Sequence, residues 1–175
     1  MIEYWYSEKM RKHWFSSTPE LDNDIRTRYE SLWERAASGE LDEWKYTPEG
    51  CLALVIVLDQ LPLNMFRGEA KSFQTEGKAI DITLFALEKG FDEKISHDKL
   101  SFLLMPLMHS ENLTHQDLSV KLFAKYDLVH NLRFAQHHRE IIKRFGRFPH
   151  RNKILGRAST VDESDYLQSD NAFKG

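Results

Sequence analysis

Thr47-Pro48-Glu49-Gly50-Cys51-Leu52-Ala53-Leu54-Val55-Ile56-Val57-Leu58 runs from a polar entry into eight unbroken apolar residues. Two readings compete. The run is rich in β-branched residues, as a buried strand would be. Its entry, however, is a helix start: a hydroxyl cap, a proline in the first turn and an acid at the positive end of the helix dipole. No second strand is evident to pair with it. The stretch therefore predicts a helix apolar on every side, which belongs at the centre of an all-α fold. It is too short to cross a bilayer, which takes ~20 residues.

The same entry formula recurs at Thr18-Pro19-Glu20, followed by Leu21, Ile25, Tyr29, Leu32, Trp33 and Ala36 at helical spacing, with Gly39 as the stop. Further helices are expected over Phe73–Lys89, about His97–Leu104 before Pro106, Thr114–Tyr126 and Leu128–Phe145 before Gly146. A short turn is expected after Pro149. Thr160-Val161-Asp162-Glu163 is a capping box for a last helix to about Gln168. The sum is about six to eight helices, several paired antiparallel. The chain from about residue 169 is expected to be loose.

The 175 residues are 41% hydrophobic and 29% charged, an ordinary globular composition that excludes disorder and collagen. A chain of this size fits one domain, 1–175, burying roughly 70% of its unfolded surface. One cysteine, Cys51, excludes an internal disulfide framework and paired-cysteine zinc sites. Met1–Tyr6 lacks the pattern of a secretory signal, so the expected location is cytoplasmic, away from membranes. The formal charge of −3 is uneven: Arg139 to Arg157 carries seven basic residues and one acid (+6), leaving −9 elsewhere. A positive patch on an acidic chain suits a small anion or an internal acid better than DNA or RNA.

Three segments concentrate polar chemistry. Asp59 and Gln60 fall at the expected end of the most apolar helix, where a carboxylate is both desolvated and at the negative dipole end. Asn64 and Arg67 follow Pro62 in the expected loop. His109-Ser110-Glu111 follows Met105-Pro106-Leu107. Arg144-Phe145-Gly146-Arg147-Phe148-Pro149-His150-Arg151-Asn152, with Arg157 beyond, is the densest signal. On a wheel of about 100° per residue, His138 falls amid Phe134, Ile141 and Ile142, on the buried arc of its helix. No hydrolase elbow, P-loop, dinucleotide fingerprint or metal-binding motif is present. No cofactor and no metal are expected.

At these residues the chain resembles the mainly bacterial family known as domain of unknown function 924. The resemblance rests on Tyr4-Trp5-Tyr6, Trp14-Phe15, Leu58 to Gly68, Met105 to Glu111, Arg144 to Asn152 and Leu155-Gly156-Arg157-Ala158-Ser159-Thr160. It implies an all-helical right-handed superhelix of helix pairs, similar to tetratricopeptide folds, and brings no established activity. The family pattern has arginine where this chain has Leu63, and phenylalanine at Leu61.

The residues point first to a small-ligand site where the Asp59 stretch (Asp59, Gln60, Asn64, Arg67), the His109 loop (His109, Glu111) and the segment bearing Arg147, His150, Arg151, Asn152 and Arg157 converge. It would take an anionic metabolite, with His109, His138 or His150 as an acid–base group and an arginine facing negative charge. The competing reading is a protein- or peptide-docking module in which these charges are internal fasteners and a groove is lined by Trp33, Trp44 or Phe73. A third reading, RNA stacking on Phe145 and Phe148, requires those rings to be exposed.

Overall fold

The computed structural model describes residues 1–174. Among the described residues every regular element is helical and no strand forms. The sequence carries no linker, yet the chain groups into two compact units. One is Met1–Arg67 with Lys71–Pro106; the other is Gly68–Ala70 with the chain from Leu107 onward.

The first unit is built from the two threonine-proline starts. Thr18 Oγ1 accepts a hydrogen bond from the Leu21 amide at 3.3 Å, and Thr47 Oγ1 accepts one from Gly50 at 3.1 Å. These caps open the helices Pro19–Ser38 and Pro48–Val55. Gly39 ends the first of them at φ +91°, the left-handed stop. Trp33, buried on that helix, donates its indole N–H to Thr75 Oγ1, which donates in turn to the Leu58 carbonyl. The tryptophan is thereby a core residue and lines no groove. Among the N-terminal aromatics Trp5 is buried and Phe15 exposed; Trp14 donates to the Trp5 carbonyl, and its ring lies 4.7 Å from that of Phe102.

The central apolar helix differs from expectation at its far end. It does not stop at Asp59-Gln60-Leu61-Pro62. A π-helical turn, Ile56–Gln60, leads directly into Leu61–Met65. The wider turn places Pro62 in the first turn of the following α segment, where its missing N–H needs no partner. Every residue from Cys51 to Pro62 is buried. Asp59 and Gln60 thus lie in mid-helix rather than at a helix end, Asn64 is helical rather than in a loop, and the dipole argument applied to Asp59 does not hold.

Pro106 likewise fails to stop its helix, which spans His97–His109. A proline inside a helix removes one hydrogen bond and crowds the preceding turn, at about 3 kcal/mol. Leu100, Phe102, Leu103, Leu104 and Met105 are all buried, and Thr83 Oγ1 donates to the Leu103 carbonyl at 2.9 Å. Apolar burial at roughly 1.5–3 kcal/mol per side chain outweighs the proline.

In the second unit, Leu113–Lys125 and Val129–Phe145 form a helix pair. Its connection is tight: Asp127 takes φ +51°, and the Leu128 amide bonds the Phe123 carbonyl at 2.9 Å. The second helix buries Ala135, His138, Ile141 and Ile142, as its wheel implies. Phe134 departs from the wheel and stays 43% exposed. Gly146, at φ +70°, turns the chain sharply into the 3₁₀ turn Pro149–Arg151. The capping box forms, opening Val161–Gln168.

Gly50 carries a constraint that the sequence hides. A Cβ there would lie 1.8 Å from the Trp44 carbonyl oxygen, a backbone atom. Glycine to alanine inside a helix normally gains up to about 1 kcal/mol. Gly50→Ala is expected to reverse that sign and lower stability by about 2 kcal/mol or more, as overpacking against fixed atoms does. Urea denaturation of the two proteins measures it.

Candidate functional site

The second unit gathers its polar side chains around the end of the His97–His109 helix. The last carbonyls of a helix have no partner within it. Here the Met108 carbonyl accepts from Gln116 Nε2 at 2.7 Å and from His138 Nδ1 at 3.3 Å. The His109 carbonyl accepts from an Arg151 terminal nitrogen at 2.9 Å, and the Ser110 carbonyl accepts from Gln116 at 2.7 Å. A buried amide, an imidazole and a guanidinium thus meet the negative end of the helix dipole.

Two bidentate ion pairs frame this end. Arg157 spans Glu111 with both terminal nitrogens, at 2.6 and 2.9 Å. Its Nε donates to Asn152 Oδ1, and one terminal nitrogen also reaches the Phe148 carbonyl. Glu111 in turn accepts the Phe148 amide at 2.8 Å. Burial alone would raise the Glu111 carboxyl, but Arg157 and the Phe148 amide outweigh it and hold the group below its usual range. In the second pair, Arg147 grips Glu163 at 2.6 and 2.8 Å and donates to the Ala158 carbonyl. Asn152 and the Thr160 amide complete the Glu163 shell. The Arg147 hydrogen bond leads in lowering the Glu163 carboxyl to about 2. Two of the segment's seven basic residues, Arg147 and Arg157, are therefore each matched by an acid from outside it.

Three histidines remain beside this frame. His138 is 4% exposed, and its Nε2 has no hydrogen-bond partner. Because a carbonyl only accepts, the bond to Met108 places the His138 proton on Nδ1 and leaves a bare lone pair on Nε2. Desolvation, with the neighbouring His109 next, lowers the ring to about 3. His150, on the 3₁₀ turn, has an unpartnered buried Nδ1 and is lowered to about 4, again by desolvation first and Arg151 second. Phe148 joins them: its ring lies 5.2 Å from His138 and 5.5 Å from His150. Both rings are neutral near pH 7. His138 can accept a hydrogen bond from a donor; it is a feeble base.

The expected residues thus divide. His109, Glu111, His138, Arg147, His150, Arg151, Asn152 and Arg157 are all in the second unit, where the arginine segment meets the helix end at His109, a residue expected in a loop but helical here. Asp59, Gln60, Asn64 and Arg67 belong to the first unit. There Gln60 donates to Asp59, while Asn64 and Arg67 both donate to Asp22, at 2.8 and 2.7 Å. Burial would raise Asp22, but Arg67, Asn64 and Ser17 outweigh it and hold the carboxyl low. Nothing in the sequence marks Asp22 as the partner of Arg67, or Glu163 as more than a capping residue; an acid at a helix start gives no sign of a distant arginine. Among the described residues no cluster of three or more His, Cys, Asp or Glu side chains could hold a metal ion. Phe148 is sealed in the core, and Phe145 lies against Tyr166 with Arg144 over its ring, so neither presents a free face for a base.

The model of a family described as bacterial proteins of unknown function, DUF924, matches residues 1–171. The chain belongs to this family. The DUF924 chain is also similar to a solved structure, a protein of unknown function, ATU0120, from Agrobacterium tumefaciens. The two share 35% identity and a TM-score of 0.88, over 95% of this chain and 94% of that one. No curated protein matches the sequence. Among the described residues of the DUF924 chain, no helix is long and apolar enough to cross a membrane.

Two outcomes follow from the frame and its histidines. Arg157→Met leaves Glu111 half-buried and unpaired. It is expected to cost about 2 kcal/mol, below the ~3–5 kcal/mol of a fully buried pair because both partners keep some solvent. Adding Glu111→Gln should restore more than half, read by urea denaturation. His138 resists protonation in the folded state, whereas the unfolded chain takes the proton near the ordinary 6.5. Stability should therefore fall as pH drops below about 6.5, and His138→Phe should flatten that decline between pH 6.5 and 4.5 in thermal melts.

Proposed function

We propose that the second unit binds a small molecule through His138, with His109 and His150 beside it, on a frame locked by Arg157–Glu111 and Arg147–Glu163. The observation that carries this reading is the bare, buried Nε2 of His138. Buried polar atoms nearly always find a partner, and leaving one unmet costs about 1–3 kcal/mol. A ligand with an O–H or N–H group supplies the missing donor. The Nδ1 bond to Met108 fixes the ring for that purpose, as an orienting group does in other imidazole sites.

Two parts of this reading depart from a purely anionic site. Arg147 and Arg157 are occupied by carboxylates, so they serve as fasteners and position the loop that carries Phe148 and His150. The ligand is recognised by hydrogen bonding and ring contacts, and its own charge is secondary. The helix pair Leu113–Lys125 and Val129–Phe145 is the part of the fold that supports a tetratricopeptide-like architecture. A docking groove for a protein has less support, because Trp33 is core.

The test is a panel of small hydroxy, amino and amide compounds screened by ligand-observed NMR against the wild type and His138→Phe. The substituted ring keeps the packing and removes the acceptor. Compounds that bind the wild type roughly tenfold more tightly, the worth of one good hydrogen bond, support the reading. A panel in which every binder ignores the substitution overturns it.

A further inference from the structure

The chain after the last helix folds back onto the histidine cluster. The Ser169 amide bonds the Tyr166 carbonyl at 3.0 Å, and the Ala172 amide bonds the Ser169 carbonyl at 3.1 Å. The Phe173 amide then donates to the Tyr166 hydroxyl oxygen at 2.9 Å. These bonds set the Phe173 ring among imidazoles. Its centroid is 4.4 Å from His138, 5.0 Å from His150 and 6.5 Å from His137, each contact edge-to-face. Ala172 and Phe173 also pack against the apolar cluster of Ile141, Ile142, Phe148 and Tyr166. The tail expected to be loose has a definite seat.

The occupant is chemically incomplete. A hydrocarbon ring fills the slot by shape and supplies edge-to-face contacts. It offers neither donor nor acceptor, and the two imidazole nitrogens most enclosed there, His138 Nε2 and His150 Nδ1, go unmet. A planar ring of the same size that carries an O–H or N–H group would keep the contacts and satisfy His138. Phe173 lies past the last helix, Val161–Gln168, and its backbone is tied to that helix through the Tyr166 hydroxyl.

We propose that the segment from Ser169 to Lys174 is a built-in lid whose Phe173 ring stands in for the ligand, an aromatic molecule bearing a hydrogen-bond donor. This rests on the reading of His138 as an acceptor and adds the ligand class and its gating. The ligand displaces Phe173, so the apparent affinity of the closed protein is reduced by the fraction of time that the lid is open.

The test uses the 175-residue protein with phenol and toluene as probes, titrated by NMR. Phe173→Ala should bind phenol roughly tenfold more tightly than the wild type, by removal of the competing ring. It should also prefer phenol to toluene by about fivefold, a preference that disappears on adding His138→Phe. Tyr166→Phe, which releases the Phe173 amide and keeps the core ring, is the second variant and should also tighten phenol binding. Equal phenol affinity in the wild type and both tail variants, or no binding to any of them, overturns the lid. If the wild type meanwhile binds phenol through His138, the acceptor reading survives that result. Tail variants that open but take phenol and toluene equally overturn the ligand class, and with it the role of His138.

Discussion

The paired hydrogen bonds between Arg157 and Glu111 are the constraint on which the second unit depends. They join a loop that follows one helix to a segment that follows another, 46 residues apart. Between them they hold the two peptide units that flank one residue: Glu111 takes the Phe148 amide, and Arg157 reaches the Phe148 carbonyl. A residue gripped in this way has no freedom left in its backbone, so Phe148 is driven into the core and Pro149 starts its turn at a set place. His150 and Arg151 then follow by the geometry of a 3₁₀ turn. Part-buried pairs of this kind are weak contributors to net stability, and their value here is in fixing one arrangement.

The second consequence is electrical. A segment of charge +6 looks like an anion trap when it is read alone. Glu111 and Glu163 enter it from elsewhere and occupy the guanidinium groups of Arg157 and Arg147. What is left facing the interior is one buried guanidinium, Arg151, held by the His109 carbonyl and stacked over Phe148, beside imidazoles that desolvation keeps unprotonated. Such surroundings select for shape and for a well-placed hydrogen bond to His138. The helix end at Met108 and His109 adds orientation. It fixes which nitrogen of His138 carries the proton, and thereby which partner that ring can accept.

Most helix starts were legible in the sequence because capping is local. Thr18-Pro19, Thr47-Pro48 and Thr160-x-x-Glu163 each contain both the cap and its target within one turn. The stops were less legible. Pro62 and Pro106 look like breakers in the sequence, and both are absorbed, one by a π-helical turn and one by the burial of five large apolar side chains with a bracing threonine. Both rescues are tertiary, and no window of sequence contains them. The candidate residues show the same limit. His138 was placed inside by its helical phase alone, whereas Phe134 has a similar phase and remains exposed. The pairing of Arg157 with Glu111, and of Arg147 with Glu163, depends on which loops meet. Residue types signal that charge must be matched; they do not say by whom. Phe173 was invisible for the same reason, since a terminal aromatic among polar residues reads as a frayed end.

The claim on which all of this turns is that His138 presents a bare nitrogen to the interior of its unit. Imidazole ¹⁵N NMR of the uniformly labelled wild type at pH 7 tests it directly. The account predicts one histidine with a protonated Nδ1 and an Nε2 shift typical of an exposed lone pair, lost in His138→Phe and unchanged down to pH 5. A protonated Nε2, or a ring that becomes fully cationic between pH 7 and pH 5, would contradict it.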